Sequence, residues 1–536
     1  MLKKRWTIRD ESGQGTVTER LRALRRLDPE SEIIHDPFLL PDMDKAVDRF
    51  QQALRNREKI LVFGDYDADG ITATAVILDF LRRFDMPYDY ILPHRIKDGY
   101  GLHGHLVERI KGTGAGLVVT VDNGTTAHAA MEQLSEAGID VIVLDHHQQD
   151  PVLPRAVAVV NANRNDSTYP CKGLAGVGVA WKMLQALQAP DLDSYLDLVA
   201  IGTIGDMVPL LGENRLLVRR GLEQINRSPR PGISALRHIT RLQDRTVDAG
   251  HVSWMLAPRI NSAGRMEKPD LALELLRTRK LEDAIPLAAR LGELNEQRKE
   301  EQMQGLEKVL EEVEGSIADC SIVQKVGDWH LGIVGLISAR ISQEYFLPSI
   351  VFTRMGDGIL KASSRSIPGF DITAAISQQS ELLEEFGGHS EAAGLTIREE
   401  NLEQFIEAME KVAQKAITDE MRIPELSIDL ELKPTEINLQ LLDDLRELTP
   451  WGMGNPKPKF VLRNSRLLRK TLLTRGKHLK LHLENGGKEF EAIWWQQGPR
   501  GEELQYGDHL DLVFQLQSNS WNGVTREQLI IDDLRN

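Results

Sequence analysis

Cysteine is nearly missing. The 536 residues hold two, Cys171 and Cys320, with no CxxC and no Cys/His pairing. This excludes a disulfide framework and offers no thiolate zinc site. No uninterrupted apolar run is long enough to span a bilayer. The basic start, MLKKRWTIRDESGQG, has no apolar stretch behind it and does not read as a secretory leader. A cytoplasmic protein without membrane association is the expectation. An excess of positive charge is missing too. The net charge of −15 argues against a generally basic surface but leaves room for a local basic groove. There are no internal repeats and no low-complexity tracts. What remains is ordinary globular composition, 41% hydrophobic and 27% charged. The chain is too long for one core, and its length suggests roughly three or four domains.

Residues 1–45 are polar and read as an N-terminal arm leading into a helix near Met43–Asn56. Residues 46–230 alternate strands and helices, with strands at Ile60–Phe63, Leu117–Val121 and Val141–Leu144 and a weaker one at Ala156–Val160. That is the βαβ signature of a covered parallel sheet. Residues 231–315 read as a helical connector with a long, largely exposed helix. Residues 316–400 return to α/β, and residues 425–536 carry alternating segments and Gly-containing turns that suggest a small β domain.

The chemistry gathers at the strand ends. Ile60–Phe63 runs into Gly64-Asp65-Tyr66-Asp67-Ala68-Asp69-Gly70, followed by a helical pattern. Leu117–Val121 ends in Asp122-Asn123-Gly124, and Val141–Leu144 in Asp145-His146-His147. Further on, Ile201–Gly205 leads to Asp206. Parallel strands place such ends on one edge, where ligands bind. Three carboxylates within five residues repel one another unless a cation sits among them. Carboxylate and imidazole without thiolate suit manganese or magnesium, and also zinc or iron. The set is too large for one ion, and two ions sharing a bridging carboxylate is the arrangement of phosphoryl transfer. Adjacent histidines in a loop can splay, one to a metal and the other to substrate or a second ion.

GDYDADG, VDNG, LDHH and IGDMV, in this order, resemble the DHH phosphoesterase superfamily, named for the triplet found here as Asp145-His146-His147. The later GGHSEAAG is similar to the glycine-rich signature of the DHH-associated domain. KGLAGVG (172–178), APRINSAGRM (257–266) and PWGMGNP (450–456) narrow the resemblance to the RecJ family of single-strand-specific 5′→3′ DNA exonucleases, from about Leu39 to the end. The resemblance implies an α/β fold class: a parallel-sheet DHH domain, a long connecting helix, a second α/β (DHH-associated) domain and a C-terminal OB-type β-barrel. It places the metal ligands on Asp65, Asp67, Asp69, Asp122, His146 and Asp206, with direct or supporting roles for Asp145 and His147. Asp67, Asp122, His146 and His147 are the expected catalytic residues. Where some superfamily members carry a histidine before this first motif, the chain has Phe63, and Asp65 stands as the substitute ligand. The implied cofactors are two divalent cations, Mn or Mg. The implied substrate is single-stranded DNA with a free 5′ end, cut to 5′-mononucleotides in recombination and repair. A monomer working beside a single-strand-binding protein and a RecQ-type helicase is part of the same expectation.

Positive groups must hold such a polyanion away from the acids. Arg259, Asn261 and Arg265 flank a small-residue stretch, Ser262-Ala263-Gly264, read as a turn where a backbone approaches. In the second α/β region, Ser364 and Arg365, with Gly388 and His389, suggest a phosphate clamp and an amide nest. Val461–Lys480 contains Arg463, Arg466, Arg469, Lys470, Arg475, Lys477 and Lys480 and no acid. With Trp451, Trp494, Trp495 and Trp521 this fits single-strand binding, and Arg469, Lys470, Arg475 and Lys477 are its candidate contacts. Because histidine ligands must be neutral, activity is expected to fall below roughly pH 6. Two rivals remain: a phosphodiesterase for cyclic dinucleotides or short oligoribonucleotides, and a catalytically inactive replication-associated scaffold.

Overall fold

In the computed structural model the chain opens with a strand, β1 (Arg5–Asp10), and a helix, α1 (Val17–Arg25). The structure describes residues 4–10, 13–27, 29–313, 317, 320–521 and 523–536. The chain divides into two units. One is built mainly from residues 36–206 and 220–424; the other combines residues 5–35, 207–219 and 425–536.

The second unit corrects the expectation of an N-terminal arm. β1 pairs in parallel with the strand Glu425–Glu431, and Trp6 and Ile8 pack on Leu426, Ile428, Val461 and Val513. α1 buries Val17 and Leu21 in the same unit. Arg25 locks it: Nη2 lies 2.9 Å from Asp429, and Nη1 donates to Asn455 Oδ1 at 2.9 Å. Asn455 in turn donates to Leu448 and Pro450 carbonyls, so PWGMGNP has a packing role here. Only partners more than 400 residues away reveal why the polar start is ordered.

In the first unit, β2 (Ile60–Phe63), β3 (Tyr88–Ile91), β4 (Leu117–Val121), β5 (Asp140–Leu144) and β6 (Ala158–Val160) form an all-parallel sheet in the order β3-β2-β4-β5-β6. β2 and β4 are buried along their whole length, as a sheet covered on both faces requires. β3, absent from the sequence reading, is a half-exposed edge strand of sequence YDYI. After β2 the chain moves outward to β3, then returns to the other side of β2 as β4. The direction reverses between β2 and β4, and such a switch point opens a crevice at the strand C-termini. α2 (Met43–Asn56), α3 (Ala68–Arg83) and the helices Gly176–Ala186 and Leu196–Gly205 cover the sheet region.

The connector is helical, ending in Leu281–Val313, 33 residues and about 50 Å at 1.5 Å per residue. The expected turn at Ser262–Gly264 is instead part of the helix Ala257–Met266. Close approach does occur there, but to the protein itself: a Cβ on Gly264 would lie 2.5 Å from the Tyr66 carbonyl oxygen.

A second sheet follows in the order β10-β11-β9-β8-β7, from β7 (Val323–Gly327), β8 (Ser349–Gly356), β9 (Ile359–Arg365), β10 (Leu383–His389) and β11 (Ala392–Arg398). The glycine-rich stretch is therefore a hairpin, not a nest. The helix Leu402–Ala416 buries Phe405, Met409 and Ala413 in this core, so the region runs beyond the expected limit at residue 400.

In the second unit β12 (Glu425–Glu431) leads to β13 (Phe460–Leu473), β14 (His478–Asn485), β15 (Lys488–Trp494), β16 (His509–Trp521) and β17 (Val524–Arg535). The order β13-β14-β15-β17-β16, closed by β13–β16 pairing, makes a five-stranded OB-type barrel. Leu479, Leu481 and Leu483 alternate inward along β14. Gly486 and Gly487 turn β14 into β15 with φ of 59° and 79°, as a two-residue hairpin loop demands. Asn522 and the Trp521 side chain lie outside the described residues.

Candidate metal centre

Three strand ends and one helix end deliver the acids. After β2, Asp65 is fully buried. Asp67 caps α3: its Oδ1 accepts from the amides of Asp69 at 3.0 Å and Gly70 at 3.1 Å. Asp69, in the first turn, accepts from the amides of Gly176 at 2.6 Å and Val177 at 2.9 Å. These amides begin the helix Gly176–Ala186, which gives KGLAGVG its role. A Cβ on Gly176 would lie 2.6 Å from that of Asp122.

Asp122 follows β4 with φ of 61° and is buried. After β5, His146 Nε2 lies 3.1 Å from Asp122 Oδ1, 3.5 Å from Asp206 Oδ2 and 3.8 Å from Asp69 Oδ2. His147 instead meets Asp145 through Nδ1 at 2.8 Å and the Tyr100 hydroxyl at 2.9 Å, its ring tilted 56° to that of His146. Asp206 does not close a strand. It sits at the C-terminus of the helix Leu196–Gly205.

Asp145 departs from a ligand role. Its Oδ1 accepts from the amides of His146 and His147 and from the His147 ring, and its Oδ2 from the Thr125 amide at 2.9 Å. Both oxygens are engaged in shaping the loop. Asn161 and Asn163 steady the same loop by donating to the carbonyls of His147 and His146.

Three sets of ligand atoms lie within 4.8 Å of one another: Asp69, His146 and Asp206; Asp122, His146 and His147; Asp65, Asp67 and Asp122. Asp122 and His146 each belong to two sets, as sharing between neighbouring ions requires. Both oxygens of Asp65, Asp122 Oδ1 and His146 Nε2 are buried without a hydrogen-bond partner. Each such atom costs about 1–3 kcal/mol or more unless something pairs with it. Hard oxygen and imidazole donors left over in this way fit divalent cations.

The electrostatics agree. Burial first, then neighbouring carboxylates, hold Asp65, Asp69 and Asp122 well above the usual carboxylate range and push Asp206 up to about 7. Burial, then His147, lowers His146 to about 4. Burial opposes charge on His147, but the Asp145 carboxylate lifts it to about 9. Asp145 is lowered by His147 and Thr125 although its burial works the other way. His146 therefore stays neutral well below pH 6. Protons compete with a cation at the acids, not at the histidine.

The expected phosphate contacts are only partly free. Asn261 accepts from the Ala68 amide at 2.7 Å, helping to cap α3. Arg259 donates to the Met255 carbonyl at 2.6 Å, and Arg265 to that of Gly332 at 3.1 Å. Ser364 uses its hydroxyl across the β9–β11 ladder, to Ala393. Gly388 is a strand residue whose Cβ would meet the Ala392 carbonyl at 2.3 Å. His389, at the end of β10, accepts from the Glu391 amide at 3.3 Å. Arg365 braces its own strand through Ser363 and the Ser364 carbonyl.

A guanidinium group nevertheless forms. Burial, then Arg95 and Arg298, push Arg265 down to about 9, and Arg365 is lowered by burial and Arg95. Arg95 lies 5.0 Å over the Tyr66 ring. Buried Nε atoms of Arg259 and Arg298 lack partners. Arg95, Arg298 and Tyr100 were not foreseen. HRIKDGY, just past β3, was the available signal for Arg95 and Tyr100, once β3 is known to end on the same sheet edge.

The basic run is thinner than its sequence. Arg463 pairs with Glu431 and Asp511, and Lys480 with Glu491, acids brought in from neighbouring strands. Arg469 meets His482, and Lys470 donates to the carbonyls of Gly501 and Leu504. Arg475 and Lys477 are exposed at the β13–β14 turn. Trp494 is core, under Arg500, whereas Trp495 is half exposed against His478. Trp451 packs half-buried under Arg25. Among the described residues no helix is long and apolar enough to cross a membrane.

Three family models match the chain: the DHH family N-terminal domain over residues 59–203, the DHHA1 domain over 319–415 and the RecJ OB domain over 428–533. The single-stranded-DNA-specific exonuclease RecJ of Bacillus subtilis is 35% identical over 93% of this chain, which spans 64% of that relative's length. The protein of the same name from Salmonella typhimurium is 35% identical, over 92% of this chain and 90% of that one. The crystal structure of Thermus thermophilus RecJ in complex with Mn2+ superposes with a TM-score of 0.84 at 28% identity, over 99% of this chain and 79% of that one. A second structure of that protein, with Mg2+, gives 0.77 at 26% identity, over 99% and 78%. The chain belongs to the RecJ family.

Proposed function

We propose that the protein is a metal-dependent, single-stranded-DNA-specific 5′→3′ exonuclease that releases 5′-mononucleotides. The observation that carries this reading is the set of buried, partnerless ligand atoms on Asp65, Asp122 and His146. Relatives named single-stranded-DNA-specific exonucleases support the choice of substrate.

Asp65, Asp67, Asp69, Asp122, His146 and Asp206 would hold two divalent cations, Mn or Mg, with His147 beside them. When bound, such a pair supplies an activated water and stabilises charge on the attacked phosphate and the leaving oxygen. The chain does the rest. Asp145 fixes the ring of His147 and favours its cationic form, a positive charge beside the place of a phosphate, while Nε2 is held by the Tyr100 hydroxyl. Tyr100 bridges His147 and the Asp122 carbonyl, which holds the two strand-end loops in register. Arg95, Arg265 and Arg365 are poorly neutralised guanidinium groups suited to successive phosphates. The exposed Trp495, Arg475 and Lys477 suit a single strand on the barrel. A cytoplasmic monomer beside a single-strand-binding protein and a RecQ-type helicase belongs to the same reading. A barrel matched by the RecJ OB model favours a polymer over a cyclic dinucleotide.

The test is digestion of 5′- and 3′-labelled single strands beside matched duplex, with and without Mn2+. The 5′ label should appear first as mononucleotide, only with metal and only from single strands. Release from the 3′ end, or equal cutting of duplex, would refute the reading.

A further inference from the structure

At the end of α3 remote from the acids lies a cavity of about 280 Å3 that the proposed reaction does not use. Arg82, Arg83, Arg230, Arg277, Arg279 and Tyr195 line it. The guanidinium groups are only partly neutralised. Asp79, itself buried, is shared by Arg82 at 3.0 Å, Arg277 at 3.2 Å and Arg230 at 3.5 Å. Asp197 takes Arg230 through two bonds of 2.8 Å. Arg83 pairs with the exposed Asp191 at 3.1 Å, donates to the Pro190 carbonyl and the Ser194 hydroxyl at 3.3 Å, and lies 5.5 Å over the Tyr195 ring. Arg279 makes no ion pair among the described residues, and five arginines thus face three carboxylates.

Two polar atoms of this wall lack partners. The Tyr195 hydroxyl is buried, its residue 2% exposed, and bonds to nothing; the Arg82 Nε is in the same state. Packing alone does not account for a buried hydroxyl and a guanidinium N–H both left open, since each carries a desolvation cost. Both are donors beside surplus positive charge, which is the complement of an oxyanion with several acceptor oxygens.

We propose that this cavity binds a phosphate group, free or as a 5′-mononucleotide, at a site separate from the metal residues. Arg82 and Arg279 contact its oxygens and the Tyr195 hydroxyl donates to one of them. α3 has Asp67 and Asp69 at one end and Arg82 and Arg83 at the other, about 24 Å apart along a 16-residue helix.

The test is calorimetric titration of the metal-free full-length chain with inorganic phosphate and, separately, dAMP. One saturable site is expected. A hydrogen bond to a charged group contributes roughly tenfold or more in affinity, so Tyr195→Phe and Arg279→Ala should each weaken binding about tenfold. Arg365→Ala, in the candidate substrate cleft, should leave it unchanged. dAMP binding more tightly than phosphate identifies a nucleotide as the occupant; equal affinities identify the free anion. Unchanged affinity in both Tyr195→Phe and Arg279→Ala overturns the proposal, as does loss of binding in Arg365→Ala or no saturable binding at millimolar ligand. Tyr195→Phe removes one unpaired hydroxyl without altering the packing, so its melting temperature should not fall, which separates lost binding from lost folding.

Discussion

Mn2+ should stabilise the metal-free protein far more at pH 8 than at pH 5. Without metal, Asp65, Asp69, Asp122 and Asp206 hold protons above the usual carboxylate range. A carboxyl whose folded pKa is raised contributes stability that is fully present below its unfolded value and lost as pH rises through the folded one. For Asp206 that window runs from 3.8 to about 7. Each tenfold change in proton affinity is about 1.4 kcal/mol, so Asp206 alone carries a penalty of at most about 4 kcal/mol at pH 8. Its 26% exposure and the sharing of protons among neighbours reduce this. His147, lifted to about 9, acts in the same direction: its contribution is present below 6.5 and lost as pH rises through 9. His146, lowered to about 4, works the other way and adds stability as pH rises from about 4 to 6.5, so the metal-free protein should lose stability most clearly between pH 6.5 and pH 8. A cation at 100 times its dissociation constant returns about 2.7 kcal/mol, or roughly 3–4 °C in melting temperature for a unit of nearly 400 residues. At pH 5 the ion must displace protons, and the gain should nearly vanish. Differential scanning fluorimetry at pH 5, 6, 7 and 8, with EDTA or with Mn2+, measures both slopes. A metal-free melting temperature that rises between pH 7 and pH 8, or a Mn2+ increment independent of pH, would refute the reasoning.

Asp122→Ala and His146→Ala should each lower turnover at least a thousandfold while changing single-strand affinity less than about threefold, measured by single-turnover digestion and fluorescence anisotropy; second-sphere effects on metal sites are smaller, about 10–100-fold. Asp145→Asn should fall in that smaller range, with Mn2+ affinity by titration nearly kept, because it frees the His147 ring without removing a ligand. Gly176→Ala should abolish Mn2+-induced stabilisation, since the added methyl must displace Asp122 from 2.6 Å; an unchanged increment would show that the helix can retreat. The Mn2+ concentration that gives half-maximal activity, read from metal titrations at several pH values, should rise as pH falls below about 7, because protons then compete with the ion for Asp206.

Asp65, Asp122 and Asp145 were legible because each follows a short apolar strand. Periodicity marks β2, β4 and β5, and the parallel rule puts Asp65, Asp122 and His146 on one edge. What it missed has a common cause. β3 is an edge strand with no apolar run, so Arg95 and Tyr100, which follow it, could not be assigned to that edge. Asp206 was grouped with strand ends, yet a helix delivers it, because a fully buried helix shows no amphipathic period to separate it from a buried strand. The basic run was overread because cross-strand neighbours are invisible in sequence: Glu431, Glu491 and Asp511 come from three other strands.

The glycines carry the remaining lesson. Glycine near acids and arginines suggested backbone nests for a phosphate. The structure uses several of them for steric room around the first turn of α3. A Cβ at Gly202 would lie 2.3 Å from Thr72 Oγ1 and 2.8 Å from Asp69 Oδ1. One at Gly205 would lie 2.9 Å from Ala68 Cβ, and one at Gly264 2.5 Å from the Tyr66 oxygen. Two helices from separate parts of the chain thus press onto residues 66–72, and a third, through Gly176, presses onto Asp122. Interiors packed this closely give little when a methyl is inserted. The acids are brought within ligand distance of one another by this approach, against their own repulsion, and it is the absence of side chains at these positions that makes the approach sterically possible.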